Sequence, residues 1–191
     1  LPAGDAPQSV AAADLDGDGD MDLVSANGVS DDLRLFFQTS PGGFTPAAPL
    51  SAGDSPLSVA AADLDGDGDM DLVSANGFSD DLTLFFQTSP GVFTPAASTL
   101  PTGNSPVSVA AADLDGDGDI DLVSASTSGD DLTLFFQTSP GVFTPAAAPL
   151  PAGNEPFSVA AADLDGDGDM DLVSANRFSD DLTLFFQTSP G

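Results

Sequence analysis

The chain contains no cysteine, histidine, tryptophan or tyrosine, and its only positive side chains are Arg34 and Arg177. Without cysteine there is neither a disulfide framework nor a thiolate metal site. Without histidine, cysteine or lysine the usual nucleophile–base pairings cannot be assembled. Paired carboxylates remain, and glycoside hydrolysis needs only two. Here, however, they come five to a loop, which suits holding a cation better than splitting a bond, so no enzyme is expected. A net charge of −29 sets the surface against nucleic acid and anionic membranes, both of which require Lys/Arg patches. No apolar run approaches the roughly 18 residues of a membrane span, so membrane insertion is not expected either. The N-terminal LPAGDAPQSV lacks the charged and apolar regions of a signal peptide, and any such segment is expected to lie outside this chain.

What the chain has in abundance is aspartate, in fixed places. Apolar residues make up 41 % of the sequence, enough for a core, so the acidity does not signify disorder. Of the 31 acidic residues, 20 lie in four copies of one loop and eight in the pairs Asp31–Asp32, Asp80–Asp81, Asp130–Asp131 and Asp180–Asp181; the others are Asp5, Asp54 and Glu155. The loops begin at Asp14, Asp63, Asp113 and Asp163, at spacings of 49, 50 and 50 residues. Such a period marks a repeat architecture. Each unit reads L-P-A-G-x-x-P-x-S-V-A-A-A-D, the acidic loop, L-V-S-A, a polar turn, D-D-L-T-L-F-F-Q-T-S-P-G, and F-T-P-A-A, giving units 1–49, 50–99, 100–149 and 150–191.

Within a unit, short apolar segments (58–62, 72–75, 82–87 and 92–96 in the second copy) alternate with Gly/Pro/Asp/Ser clusters, a β pattern that leaves no room for an ordinary helix. Thr88-Ser89-Pro90-Gly91 reads as a hairpin turn, proline fixing φ and glycine free to take a positive one. Four strands in about 50 residues suit one blade of a β-propeller. Side-chain size agrees: Ser-Val-Ala-Ala-Ala is small enough for the crowded axis, while Leu-Thr-Leu-Phe-Phe is apolar on both faces, as a strand between neighbouring blades must be. A generic β-solenoid or sandwich is the alternative. The fold expected is all-β, a propeller of four near-identical four-stranded blades, the last incomplete.

The acidic loops place carboxylates at alternate positions: Asp14, Asp16, Asp18, Asp20 and Asp22; Asp63, Asp65, Asp67, Asp69 and Asp71; Asp113, Asp115, Asp117, Asp119 and Asp121; Asp163, Asp165, Asp167, Asp169 and Asp171. Hard oxygen ligands at loop positions 1, 3 and 5, a carbonyl at 7, and a glycine at 6 for the sharp turn are what Ca²⁺ takes. Side-chain ligation is assigned to positions 1, 3, 5 and 9, the last with two oxygens, carbonyl ligation to position 7, and water to the remainder. Two carboxylates about 5 Å apart repel by roughly 3 kcal/mol at an effective dielectric near 20, against a whole-domain stability of about 5–15 kcal/mol. About four Ca²⁺ ions, one per repeat, are therefore expected. An EF-hand is excluded, because loop position 12 is serine (Ser25, Ser74, Ser124, Ser174) where that motif needs glutamate, and the flanks are strand-like.

D-x-D-x-D-G-x-x-D between two short strands, with L-V-S-A-N after it and a later P-G-x-F, resembles the FG-GAP/VCBS repeats of integrin-α-type β-propellers, over all 191 residues. The resemblance implies a calcium-bearing propeller in an extracellular or cell-surface protein of adhesion, recognition or lectin-like function, each cation between a blade's first and second strands. Such propellers commonly have about seven blades, and this chain has four.

If strands alternate up and down, the acidic loop and the Thr-Ser-Pro-Gly turn share one face. The opposite face receives the turns NGVSDD, NGFSDD, STSGDD and NRFSDD, where the copies differ most, together with the variable position 8 (Gln8, Leu57, Val107, Phe157). Val29, Phe78, Ser128, Arg177 and Phe178 are therefore the candidate ligand-face residues, for an extracellular protein or a glycan, and the paired aspartates read as turn caps. Sugar sites usually lean on Trp or Tyr and this chain offers only Phe, so a lectin is the second reading. Leu1 aligns with Leu50, Leu100 and Leu150, and the final Phe-Thr-Pro-Ala-Ala segment has no fourth copy. The expectation is a longer array, or self-association of copies as two four-blade halves, with a four-bladed monomer whose last blade has three strands as the alternative.

Overall fold

In the computed structural model, which describes residues 1–188, every regular element is a strand and no helix occurs among the described residues. The first sheet holds β1 (Pro7–Ala13), β2 (Asp22–Asn27), β3 (Asp32–Ser40), β4 (Gly43–Pro46) and the short β5 (Leu50–Ser51). The second holds β6 (Pro56–Ala62), β7 (Asp71–Asn76), β8 (Asp81–Ser89), β9 (Val92–Pro95) and β10 (Leu100–Pro101). In the third are β11 (Pro106–Ala112), β12 (Asp121–Ser126), β13 (Asp131–Ser139), β14 (Val142–Pro145) and β15 (Leu150–Pro151). The fourth has β16 (Pro156–Ala162), β17 (Asp171–Asn176) and β18 (Asp181–Phe185). All are antiparallel meanders, as connections this short require.

The outer strand is made in two pieces. Along β8, Gln87 pairs with Phe93 of β9, while Leu82 pairs with Leu100 of β10. The same division places Leu50 opposite Leu33 and Leu150 opposite Leu132. Unit boundaries drawn at 49/50, 99/100 and 149/150 thus cut through the hydrogen bonding, because those leucines reach back to the preceding sheet. Among the described residues the fourth sheet has three strands.

Neighbouring sheets stack face to face, and the core consists of three such junctions. In the first, Leu15, Val24, Leu33 and Leu35 of one sheet meet Val59, Leu72, Phe85 and Phe93 of the next; the second and third repeat this one unit along. The innermost strands β1, β6, β11 and β16 lie side by side. Ser9 Oγ accepts the Val59 N–H at 3.4 Å, Ser58 that of Val109 and Ser108 that of Val159, each at 3.2 Å. Small side chains on this strand are what permit so close an approach. The array is open: its two end faces are exposed. The fold is that of an incomplete propeller.

The paired aspartates have separate jobs. Asp31, Asp80 and Asp130 take a left-handed φ of 53–55°, which aspartate tolerates better than most residues. Their Oδ1 atoms accept the N–H of Ser55, Ser105 and Glu155 at 2.7–2.8 Å. The first aspartate of each of the first three pairs therefore fastens the next repeat. In the first, second and fourth repeats the second caps its own turn: Asp32 Oδ1 accepts from Asn27 Nδ2 at 2.7 Å and Ser30 Oγ at 2.8 Å, and Asp81 and Asp181 accept from Asn76 and Asn176 at 2.8 Å. The cap reading holds for one of the two.

Candidate metal centres

Each acidic loop connects the innermost strand of a sheet to the second. Position 6 (Gly19, Gly68, Gly118, Gly168) takes φ of 91–101°, the left-handed turn that a side chain would strain. The curled backbone is stitched by its own carboxylates. Asp14 accepts the N–H of Gly17 at 2.8 Å and of Gly19 at 2.9 Å, one on each oxygen, and Asp63, Asp113 and Asp163 do the same. Position 5 receives the N–H of position 7: Asp18 from Asp20, Asp67 from Asp69 and Asp117 from Asp119 at 2.9 Å, Asp167 from Asp169 at 3.0 Å.

Carboxylate oxygens converge within 4.8 Å of one another in all four loops: Asp14, Asp16 and Asp18; Asp63, Asp65 and Asp71; Asp113, Asp115 and Asp121; Asp163, Asp165 and Asp171. Positions 1 and 3 thus meet everywhere, joined by position 5 in the first loop and position 9 in the others. Asp22, Asp67, Asp117 and Asp167 fall outside these groups, as do the position 7 side chains of Asp20, Asp69, Asp119 and Asp169. Neither arginine serves a loop: Arg34 pairs with Asp32 at 3.4 Å and Arg177 with Glu155 at 3.9 Å. These all-oxygen, uncompensated sets fit a hard cation; each of the four clusters is able to hold a metal ion.

Position 9 is the anchor. Asp71 is fully buried; its Oδ2 accepts the Leu64 N–H at 2.9 Å and its Oδ1 the Gln87 N–H at 2.7 Å. Asp22, Asp121 and Asp171 repeat both bonds. One carboxylate therefore ties the start of the loop to the third strand. Burial pushes the Asp71 and Asp121 carboxyls up to about 6, against the pull of these backbone donors. Position 3 is also raised, at Asp16, Asp65, Asp115 and Asp165, first by desolvation and then by neighbouring carboxylates. A cation would reverse both causes.

One supporting residue was not anticipated from the sequence. Gln87 is buried, donates from Nε2 to the Met70 carbonyl at 3.1 Å, and accepts the Gly91 N–H at 2.8 Å; Gln137 does the same with Ile120 and Gly141. It binds the hairpin turn to the loop of its own sheet. The signal was the glutamine's recurrence in every F-F-Q-T-S-P-G. Gly91 also presses on the preceding loop: a Cβ there would stand 3.0 Å from Phe37 Cζ and 3.4 Å from Asp16 Cβ.

The opposite face gathers the sequence differences. Position 8 is the unpaired residue of a β-bulge, and bulges re-aim side chains. Leu57 faces Gly28 and Gly77. In the fourth repeat, Arg177 lies 5.7 Å over the Phe157 ring and 5.5 Å over that of Phe178. Val29, Phe78 and Phe178 are exposed, and Ser128 N–H donates to the Asn104 carbonyl at 3.2 Å.

The sequence profile of the FG-GAP-like repeat matches residues 14–74, 63–124 and 113–174. The chain belongs to the FG-GAP-like repeat family. Each match of this FG-GAP-like chain runs from one acidic loop through the next. Among solved structures, it is similar to BBS1N in complex with ARL6DN (16 % identity, TM-score 0.62, 98 % of this chain and 57 % of that one). It is similar also to a candidate 6-phosphogluconolactonase from Bacteroides uniformis (15 % identity, TM-score 0.62, 96 % of this chain and 57 % of that one). These likenesses concern the propeller-type fold, and the FG-GAP-like chain spans little more than half the length of either. No curated protein matches its sequence. Among the described residues no helix is long and apolar enough to cross a membrane.

Proposed function

We propose that the chain is a calcium-stabilised propeller module for recognition or adhesion outside the cell or at its surface, with structural cations and no catalytic role. The observation that carries this reading is the recurrence, in all four repeats, of carboxylate oxygens within 4.8 Å of one another where neither arginine reaches. Bound Ca²⁺ would supply the missing positive charge. The chain's own residues do the rest: the position 9 aspartates fix the loop to the sheet, the position 6 glycines permit its turn, and positions 1 and 3 present oxygens. A Kd of about 10⁻⁴–10⁻³ M, as in extracellular modules, would confine the fully stable state to calcium-rich surroundings.

Calorimetric titration should find four Ca²⁺ per chain, and chelation should lower the melting temperature sharply. Equal heat resistance after exhaustive EDTA, with no ion recoverable, overturns the reading. A second reading, carbohydrate binding, is favoured by the exposed Phe157 and Phe178 flanking Arg177, a stacking surface with one polar donor set. Reproducible signals on a glycan array, lost in Arg177→Ala and Phe178→Ala with calcium stoichiometry unchanged, support it; a blank array leaves protein contact.

A further inference from the structure

The two end faces of the array are the two halves of its internal junctions. Val10 on the front of the first sheet is 66 % exposed, whereas Val59, Val109 and Val159 at the same position are 6–7 % exposed, each covered by the preceding sheet. On the back of the fourth sheet Leu182 is 62 % exposed, whereas Leu33, Leu82 and Leu132 are fully buried, each covered by the following sheet. Leu164 and Leu184 are uncovered in the same way. The cover that fits each end is therefore visible three times within the chain.

The polar fastenings match as well. Asp180 holds φ at 56°, the left-handed conformation in which Asp31, Asp80 and Asp130 fasten the next repeat. The residues they fasten, Ser55, Ser105 and Glu155, have φ of 53–58°, and their counterpart Ala6 has 54°. Ser158, exposed, stands where Ser9, Ser58 and Ser108 each accept an N–H from the next innermost strand. Both ends are thus set, in side chain and backbone, for a junction of the kind already made.

We propose that a second copy of this chain docks head to tail, the first sheet of each copy covering the fourth sheet of the other. Two copies bring together eight sheets, within the range of four to eight blades over which propellers close. A heterologous contact of this kind yields a discrete ring when its rotation closes. The interface is an extension of the internal one, with Val10 seated against Leu182 and Leu184, and the Ala6 N–H facing Asp180. The inference goes beyond the calcium reading and does not depend on it, since the junction is built from apolar faces and backbone bonds.

The test is molar mass by light scattering at micromolar concentration in calcium, with circular dichroism confirming the β fold. The expected mass is twice the 19.0 kDa of one chain. Val10→Asp and Leu182→Asp each remove one exposed face without touching the internal junctions, and each alone should give the single-chain mass. Mixed in equal amounts they should recover the doubled mass, because each keeps the face the other lacks. Should Leu182→Asp fail to fold, Leu184→Asp probes the same face. A single-chain mass for the unaltered protein, a doubled mass surviving both substitutions, or a mixture that stays unassociated overturns the proposal. Should calcium prove dispensable for folding, the same measurement runs unchanged in EDTA.

Discussion

The Oδ1 atom of Asp71 accepts the backbone N–H of Gln87 at 2.7 Å, across 16 residues of sequence. The carboxylate most deeply set in the second acidic loop is thus also a structural bond of the blade. Its other oxygen holds Leu64, so Asp71→Ala would orphan two buried N–H groups, at about 1–3 kcal/mol each. That loss should appear in the denaturation midpoint with calcium and in EDTA alike. Asp65→Asn should behave differently. Its carboxyl is raised by desolvation and by Asp67, so neutralising it costs nothing in EDTA and lowers the midpoint only in calcium. Equal effects for the two substitutions in both buffers would contradict the division of roles.

Protonation should have opposite effects on the cation-free and loaded forms. Asp71 and Asp121 have folded values of about 6 against an ordinary 3.8, so the folded state binds protons more tightly than the unfolded chain. The resulting stabilisation is complete below about pH 4 and disappears as pH rises through about 6. Asp16, Asp65, Asp115 and Asp165 act in the same direction, while Asp181, lowered by its Asn176 and Ser179 donors, opposes them weakly from the surface. Cation-free protein should therefore have a higher urea midpoint near pH 5 than near pH 7. With saturating calcium the order should invert, because protons compete for the ligand oxygens. A cation-free midpoint that rises toward neutrality would show that the burial and crowding of these carboxylates are not what limits this form.

The repeat, the strand pattern and the loops were legible because each depends on local spacing: a glycine at position 6 and aspartates at alternate positions mean the same thing in any copy. The shared-face argument was also legible, and the structure places Gly91 against Asp16 and Phe78 N–H on Asp54 O accordingly. What was not legible is long-range. Asp22 and its counterparts looked like ligands alone, since nothing in the sequence says that a position 9 carboxylate will meet the N–H of residue 38. Leu50 aligned with Leu1 as the beginning of a unit, yet it pairs with Leu33. Alignment reports what recurs, and hydrogen bonding decides to which sheet it belongs.

The four sites should not bind equally. Asp163 and Asp165 are exposed, whereas their counterparts in the first three loops are partly buried. In the first two loops the hairpin turn of the following sheet supplies that cover, Gly91 on Asp16 and Gly141 on Asp65. A ligand set open to water loses electrostatic strength, since effective dielectric rises with exposure. Titration of the Leu182→Asp chain, whose end face stays uncovered, should resolve three ions of higher affinity and one roughly tenfold or more weaker, about 1.4 kcal/mol. Asp163→Asn should remove the weak class alone. Four indistinguishable sites in that chain would show that neighbouring sheets do not tune the loops.

The third repeat carries a defect that the other three show how to repair. In the first, second and fourth repeats an asparagine donates to the capping aspartate: Asn27 to Asp32 at 2.7 Å, Asn76 to Asp81 and Asn176 to Asp181 at 2.8 Å. Ser30 and Ser179 add a second donor to Asp32 and Asp181. The third repeat has Ser126 and Gly129 at these positions. Buried oxygens of Ser124, Ser126 and Asp131 consequently have no hydrogen-bond partner among the described residues, and burial, with Asp130 beside it, pushes the Asp131 carboxyl up. An unsatisfied buried acceptor costs about 1–3 kcal/mol. Ser126→Asn should recover roughly 1 kcal/mol, and Gly129→Ser, whose new Cβ would meet only the movable end of Asp131 at 2.9 Å, should add to it. The gain should appear as a higher urea midpoint with calcium stoichiometry unchanged. A lower midpoint for the double variant would mean that the serine-rich turn is matched to its surroundings in some way the other three repeats do not share.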